Sequence, residues 1–561
     1  MSASSVDKTK GQRTRTNVRQ SKFGCFTCKY RRVKCDEWKP SCQRCLLAKR
    51  PCLGYPRGAP PGPRLDTALS AAIFSQSGLG CNPSDPQNRF VSLTCRVLRH
   101  GPRRAKSDLE LSFWTYLVPQ LTQSIPSVRA AAAAFGASYA RHVLRSDRAC
   151  SDVETVQWYA QALRQTRADL SGLRHGAVPC IVACLLLAFT EVLQHRNDKG
   201  HLHLQGVFAL LAARADGNST AIADEDEISL MFHKLDLQSA TYALGRSPDL
   251  PPSPPVTPDA SLLASPDRVL FRILHSCYHF ASTAYRYRYI NRRLIPAELF
   301  IEQGRHLGVL QHWLRSSCRQ FQDPHRAIAA RSSGEQLLVL RAQAFAAFIY
   351  VASIFQPHET AFDAYGPEFQ EIITSAEALF EKTQNGTPLG DGPSSLPPFT
   401  PEMGIIQPLF FAALKYRHPL WRRKALNLIL RSGREGPWCG EIEATVAWAV
   451  IKAEECLADH PPLGPLGMEV AEDLALHEPS DVAEARRVHA CSVVAYAGRE
   501  PDNEIHEDIG LRPGPMFAQV RLSRCRNVDR MLGVSGRGPC GYPWQDQMYW
   551  DTWTETIQVL Q

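Results

Sequence analysis

The chain has 561 residues, which is too long for one compact core, so two or more folding units are expected. Hydrophobic residues make up 44% and charged residues 21% of the chain, as in ordinary globular proteins. The net charge of +9 is uneven, because residues 1–64 hold 16 Lys or Arg and 3 acidic residues while the rest is slightly acidic. A small cationic head on an acidic body predicts a polyanionic partner for the head alone.

No exported or membrane-spanning segment is predicted. The first twenty residues lack an apolar stretch of signal-peptide length. The longest apolar run, Ile181–Phe189, is far shorter than the ~20 residues that span a bilayer. The 18 cysteines are therefore expected in a reducing compartment, where clustered thiols bind metal more often than they form disulfides.

The N-terminal fifth of the chain is predicted to hold one small ordered segment. Residues 1–22 are polar and basic and are expected to be a disordered arm. A cysteine cluster follows at residues 23–54. Residues 55–106 begin with a Pro/Gly-rich stretch and are predicted to be a flexible linker, although Phe90–Val97 alternates like a short strand.

Residues 107–561 are predicted to form a large, all-helical domain. A capping box at Ser151–Glu154 begins one helix, and Pro266 stands at the first position of another. Each is followed by one apolar helical face, formed in the first by Val156, Tyr159, Leu163 and Leu170 and in the second by Val269, Ile273, Cys277 and Phe280. The Pro-rich segments 247–258 and 386–401 are predicted to be surface loops.

The segment 542–560 mixes aromatic and acidic residues and allows two interpretations. It can be an activation segment that docks on a coactivator. It can also be the last core helix, and this reading is favoured because four apolar residues lie at helical spacing: Trp550, Trp553, Ile557 and Leu560.

The six cysteines of the cluster lie at regular intervals: Cys25, Cys28, Cys35, Cys42, Cys45 and Cys52. They repeat one half, Cys-x2-Cys-x6-Cys, with six residues between the copies. Thiolates favour zinc, which takes four tetrahedral ligands in a structural site. Six cysteines complete two such sites only if two thiolates bridge both ions, so a binuclear cluster is predicted. The alternative is a disulfide knot or six unrelated thiols, which the doubled spacing and the neighbouring basic residues disfavour.

The segments Cys28–Asp36 (CKYRRVKCD) and Lys39–Cys45 (KPSCQRC) resemble the fungal zinc binuclear cluster family of transcription regulators. The resemblance implies two zinc ions per chain, bridged by Cys25 and Cys42. It implies that the remaining ligands are Cys28 and Cys35 on one zinc and Cys45 and Cys52 on the other.

Double-stranded DNA is the expected partner of the cluster. In the family, the end of the first helix enters the major groove and reads a CGG-type triplet. Arg31 and Arg32 lie at that end, and arginine pairs with guanine through two hydrogen bonds, so these two residues are expected to contact bases. Lys29, Lys34 and Arg44 are expected to contact phosphates, which position the head without specifying sequence.

The body resembles, more diffusely, the fungal-specific regulatory domain that often follows such clusters. The resemblance lies in Cys184–Glu191, His203–Gly206 and Phe232–Gln238, and implies a domain that restrains or relays activation. No metalloprotease, phosphate-loop or nucleophile-elbow motif is found, so no enzyme is predicted. His201 and His203, which follow Glu191 in sequence, are interpreted as packed histidines rather than a second metal site.

The sequence therefore predicts a mostly α protein with a two-zinc head, a Pro/Gly-rich linker and a helical regulatory domain. It is expected to be a nuclear, DNA-binding regulator of RNA polymerase II genes, with the genes of a metabolic or secondary-metabolite cluster as candidate targets. Expected partners besides DNA are coactivators or the general transcription machinery and a second copy bound through the helical domain, with no membrane. The alternative is a metabolite-sensing or scaffold protein in which the zinc cluster is secondary.

Overall fold

The structure is a computed structural model that divides into two compact units, Met1–Pro83 and Ser84–Gln561. The residues it describes are 25, 27–28, 33–36, 42, 44–45, 48, 52, 85–100, 113–144, 152–172, 177–215, 225–242, 246–252, 266–321, 331–385, 399–455, 476–497, 516–533 and 549–559. The predicted arm 1–22 and most of the predicted linker lie outside them.

The mostly α fold is confirmed. In the second unit the described α-helices are α1 Pro86–His100, α2 Val118–Ser124, α3 Pro126–His142, α4 Asp152–Gly172, α5 Ala177–Leu193, α6 Asn197–Ala215, α7 Glu225–Tyr242, α8 Pro266–Ala284, α9 Ala297–Phe321, α10 Arg331–Ala352, α11 Gly366–Asn385, α12 Ile406–Lys415, α13 Pro419–Leu430, α14 Gly440–Glu455 and α15 Val528–Gly533. Short 3-10 helices occur at Tyr285–Tyr287, Arg292–Leu294, Glu359–Tyr365, Pro479–Asp481 and Glu484–Arg486, and a π-helical turn at Phe113–Leu117.

The strand predicted at Phe90–Val97 is wrong, because these residues belong to helix α1. Phe90 and Val97 lie two helical turns apart and are both buried against the alanine-rich helix α3. Gly136 of α3 allows this contact, since a Cβ there would meet the carbonyl oxygen of Phe90 at 2.2 Å. Residues 86–100 are therefore part of the helical unit, although the sequence placed them in the linker.

Helix α4 begins one residue after Ser151, but its predicted apolar face is not its buried face. Val156 is 64% exposed, and Leu163 and Leu170 are also exposed. The helix packs on α3 through smaller residues, since Thr155, Ala162 and Thr166 are buried. The predicted face of α8 is confirmed, because Val269, Ile273, Cys277 and Phe280 are all buried.

The body is not all helical, because two three-stranded sheets occur within the described residues. One sheet joins β1 Phe399–Thr400, β2 Arg434–Glu435 and β3 Trp438–Cys439. Its first strand lies in the predicted surface loop 386–401, yet Phe399 is buried among aromatic rings of α3 and α5. The carboxylate of Glu435 accepts the amide protons of Gly404, Ile405 and Ile406 at 2.9–3.0 Å and so caps helix α12.

The predicted C-terminal core helix is wrong, because Trp550–Gln558 is a strand, β6. The second sheet is antiparallel, with the order β4 Ala490–Ala497, β5 Phe517–Cys525 and β6. Thr552, Thr554 and Thr556 are exposed on every second residue, and Trp, Thr and Ile favour strands. Apolar residues at positions 550, 553 and 557 also fit one face of a helix, which is why the sequence pattern predicted a helix there.

A buried network of charges joins distant segments of the body. The carboxylate of Glu359 contacts Arg288 at 3.2 Å, Lys415 at 2.7 Å and Arg417 at 2.9 Å. Neighbouring buried pairs extend the network, and they are Arg417–Glu454, Arg422–Glu454, Arg422–Glu455 and Arg423–Glu455. Since these side chains are withdrawn from water, each charge depends on its partners for compensation.

Helix α10 contains the stretch Gly334–Ala352, which by length and composition alone could cross a membrane. In the structure 56% of that stretch is buried. Val339, Ala342 and Ile349 contribute to a hydrophobic core that α10 shares with α11 and α12. This burial is the environment of a core helix.

Candidate metal centre and nucleic-acid interface

The two halves of the cysteine cluster make the same hydrogen bonds. In each half the sulfur of the first cysteine accepts the amide proton of the second cysteine at 3.3 Å. The amide of the first cysteine donates to the sulfur of the third, at 3.3 Å in the first half and 3.5 Å in the second. Helical turns are present at Thr27–Cys28 and Arg44–Cys45, and the amides of Cys28 and Cys45 in these turns face sulfurs. The sequence repeat is thus also a repeat of local structure.

The sulfur positions form two overlapping sets of four. One set is Cys25, Cys28, Cys35 and Cys42, and the other is Cys25, Cys42, Cys45 and Cys52, with all ligand atoms of a set within 4.8 Å of one another. The sets share Cys25 and Cys42, whose sulfurs are 3.6 Å apart. Four sulfurs at ~2.3 Å around a tetrahedral zinc ion lie about 3.8 Å apart, so the spacing fits two ions. Such a domain binds two zinc ions.

The chemistry of the sulfurs also fits a resident metal. Cys25 and Cys42 are fully buried, and burial raises the pKa of both thiols well above the ordinary range. Buried thiols without a metal resist ionisation, whereas divalent cations supply the charge that stabilises thiolates. Apart from half-buried Val33, the described core of this unit consists of cysteines. Metal coordination, rather than apolar burial, therefore supplies the folding energy of the cluster.

Asp36 has a role that the sequence did not reveal. Its Oδ2 atom accepts the backbone amide proton of Arg44 at 2.8 Å. The carboxylate thereby caps the helical turn of the second half and ties it to the first half. The available signal was an acidic residue directly after the third cysteine, in a segment that is otherwise basic.

The predicted DNA-contacting residues are only partly described. Lys34 and Arg44 are exposed beside the buried cysteines, as a contact with phosphate requires. Lys29, Arg31 and Arg32 lie outside the described residues. The structure therefore describes two of the five predicted DNA-contacting residues, and the other three remain sequence predictions.

The histidines near Glu191 do not form a metal site among the described residues. His201 contacts Ser239 at 2.8 Å and Asp249 at 3.3 Å, whereas His203 contacts Tyr159 at 2.7 Å. Glu191 instead pairs with Arg196. Their interpretation as packed residues agrees with these separate partners.

Comparison with known proteins finds partial similarity to fungal regulators. Over 193 residues the chain is 32% identical to an uncharacterized transcriptional regulatory protein of Schizosaccharomyces pombe, covering 32% of each chain. It is 29% identical over 177 residues to the Zn(2)-C6 fungal-type transcription factor afumD of Aspergillus fumigatus, covering 30% of this chain and 45% of the relative. It is 25% identical over 241 residues to the aspercryptin biosynthesis cluster-specific transcription regulator atnN of Emericella nidulans, covering 39% and 40%.

These matches each span less than half of the relative's own length. No solved structure matches the chain. The family model that matches is the fungal Zn(2)-Cys(6) binuclear cluster domain, and it does so at residues 23–60. That range contains both four-sulfur sets and the repeated amide–sulfur bonds described above. The chain therefore carries a fungal Zn(2)-Cys(6) binuclear cluster domain at its N-terminal end and is similar, over part of its length, to fungal transcription regulators.

Proposed function

We propose that this protein is a sequence-specific DNA-binding transcription factor of a fungus and not an enzyme. The observation that carries the proposal is the pair of four-sulfur sets sharing Cys25 and Cys42, set within a strongly basic segment. All six cysteines of the sets are the proposed zinc ligands. Six thiolates and two Zn²⁺ ions leave a negative cluster, so the surrounding Lys and Arg residues are needed to attract DNA.

Base reading and phosphate binding are assigned to different residues. Arg31 and Arg32 are proposed to contact guanines of a CGG-type site, and Lys29, Lys34 and Arg44 to contact phosphates. The exposure of Lys34 and Arg44 supports the phosphate assignment. Zinc supplies no chemistry beyond holding the thiolates, so the cluster acts as a rigid support for the basic side chains.

Selection from a randomised duplex library with the full-length protein tests the proposal. The wild type is expected to enrich CGG-containing sites. Arg32→Ala is expected to relax preference at one base pair and to cost ~1–3 kcal/mol of specific binding. Lys34→Ala is the matched control, since loss of a phosphate contact weakens binding to all sequences and flattens the salt dependence. An Arg32→Ala protein with unchanged sequence preference contradicts the assignment.

The wider role follows from the class of protein. We place the protein in the nucleus, acting on RNA polymerase II genes and contacting coactivators or the general transcription machinery. We place any homodimer in the helical domain. Imaging a fluorescent fusion, with and without the basic residues 8–22, tests the location, and sedimentation of the full chain tests the dimer. The alternative metabolite-sensing function gains support from one observation, a large cavity in the helical unit.

A further inference from the structure

The helical unit contains a cavity of about 770 Å³. Its walls come from α5, α7, α8, α10, α12, α14 and the strands β3 and β4. Exposed Asp198 and Lys199, at the start of α6, are among its lining residues, so the cavity opens to solvent there. The volume lies within the range of sites that enclose small organic ligands.

Several aromatic rings line the cavity. Helix α12 presents Phe410 and Phe411 to it, and the indole ring of Trp438 lies 5.7 Å from Phe410 between ring centroids. Across the cavity wall, Tyr278 stacks on Tyr350 with centroids 5.8 Å apart. These surfaces favour a flat apolar molecule, because ring faces and edges stack on such a body.

Two of the buried polar atoms in the lining that make no hydrogen bond belong to Trp438 and Gln407. Trp438 is 4% exposed and Gln407 is 9% exposed, and both line the cavity. The donor Nε1 of Trp438 and the acceptor Oε1 of Gln407 make no hydrogen bond within the described residues. Gln407 does hydrogen-bond Tyr278, so only its oxygen is left over. A buried donor and a buried acceptor without partners each cost stability, and a complementary ligand relieves both costs.

The buried charges of the lining are already paired. Glu359 holds both Arg288 and Lys415, and Lys415 also donates to the carbonyl oxygens of Val488 and His489. Burial raises the pKa of Glu443 to about 8, so this lining carboxyl is neutral at pH 7. At these buried groups a charged ligand would lose its hydration without gaining a free counter-ion, so the buried part of the lining selects against ionised groups.

We propose that this cavity binds an uncharged, largely aromatic small molecule that offers a hydrogen-bond acceptor to Trp438 Nε1 and a donor to Gln407 Oε1. The site goes beyond the proposed DNA-binding function and does not depend on it, because every lining residue belongs to the helical unit. The ligand class is that of phenols and hydroxylated aromatic ketones, which combine a flat apolar body with one carbonyl and one hydroxyl group.

Calorimetric titration of the full-length protein with matched flavanones tests the ligand class. The 4′-hydroxy and 7-hydroxy compounds carry a carbonyl acceptor and a donor at two different separations. At least one is expected to bind in the micromolar range. Flavanone, which lacks the donor, is expected to bind about 10-fold more weakly. The 4′-carboxylate, charged at pH 7, is expected to bind weakest of all. Absence of binding by every neutral compound, or tightest binding by the carboxylate, overturns the proposal.

Two substitutions test the assigned atoms. Trp438→Phe removes the indole donor. Gln407→Met keeps the length of the side chain and removes the acceptor, together with the amide that bonds Tyr278. Each is expected to weaken the best probe about 10-fold, and neither is expected to lower the melting temperature through loss of the unpartnered atom. Trp313→Phe is the control, since Trp313 is buried outside the lining. Equal affinity in all three variants refutes the assignment of the two atoms. If Trp438→Phe fails to fold, the flavanone series still decides the ligand class.

Discussion

Replacing Glu359 with glutamine should be among the most damaging isosteric changes in the helical unit. The substitution keeps the shape of the side chain but removes the charge that three cations share. Arg288, Lys415 and Arg417 would then lie near one another with their common counter-ion gone. Charged groups buried without compensation are strongly destabilising.

The expected loss in the free energy of unfolding follows from the contacts that Glu359 loses and those that its partners keep. Three hydrogen bonds to a charged group, each worth roughly 1.5–3 kcal/mol, set an upper bound of ~9 kcal/mol. Much of this is recovered, because Arg417 keeps Glu454 and Lys415 keeps two backbone carbonyls. A loss of about 3–5 kcal/mol in the free energy of unfolding is therefore expected, as for other broken buried pairs.

Urea denaturation of the full-length protein at pH 7 measures this loss. Glu377→Gln is the matched control, because Glu377 pairs with Lys424 at 3.5 Å with both side chains about one-third exposed. An exposed pair of this kind contributes about 0–1 kcal/mol. The reasoning is refuted if Glu359→Gln costs no more than Glu377→Gln.

The same comparison predicts a pH dependence. Burial alone would raise the pKa of Glu359, but Lys415 and Arg417 outweigh it and hold the pKa far below the ordinary range. A carboxyl with a depressed pKa in the folded state stabilises the fold above its unfolded pKa of about 4.3 and loses that effect as pH falls. The gap in stability between wild type and Glu359→Gln should therefore be full above about pH 5 and shrink below about pH 4.

Three further predictions concern other parts of the chain. Cys42→Ser should release both zinc ions and Cys52→Ser mainly one, as counted by native mass spectrometry of the full-length protein, because Cys42 belongs to both four-sulfur sets and Cys52 to one; equal losses would argue against bridging. Gly136→Ala should cost about 1–3 kcal/mol by overpacking against α1. Gly206→Ala, with open space around its Cβ, should stabilise by about 0.5–1 kcal/mol in the same urea assay. Burial raises the pKa of Glu443 to about 8, so stability should fall as pH rises from about 4.3 towards 8. Glu443→Gln should lessen that decline in a series of melting temperatures, while Glu435, whose pKa burial raises to about 7, still contributes; an unchanged pH profile would contradict it.

The metal centre could be predicted from sequence because its geometry is local. All six proposed ligands fall within 28 residues, and their doubled spacing predicts shared thiolates. The face of α8 could be predicted for a similar reason, since helical periodicity and burial coincide there. By contrast, the buried side of α4 is set by its partner α3, whose small side chains admit threonine and alanine at the contact.

The C-terminal strand and the cavity depended on partners far away in sequence. Trp550–Gln558 becomes a strand because β5 supplies its hydrogen bonds, and this partner is invisible to a periodicity count. The side chains of Arg288 and Glu359 meet across 71 residues of sequence, so no local motif marks the charge network. Gln407 and Trp438 likewise could not be singled out from the sequence. Only the structure shows that an acceptor of Gln407 and a donor of Trp438 lack hydrogen-bond partners.

The charge network also determines how the helical unit can open. Its members lie on helices α12, α13 and α14, on the turn Glu359–Tyr365 and on the segment that leads into β4. If any one of these segments detached, buried charges on the others would lose their partners. Local opening there therefore costs nearly as much free energy as global unfolding. Amide hydrogen exchange should therefore show these separate stretches with a single shared protection level. A ligand would consequently be expected to enter through the mouth beside α6, and not by parting the wall built on the network.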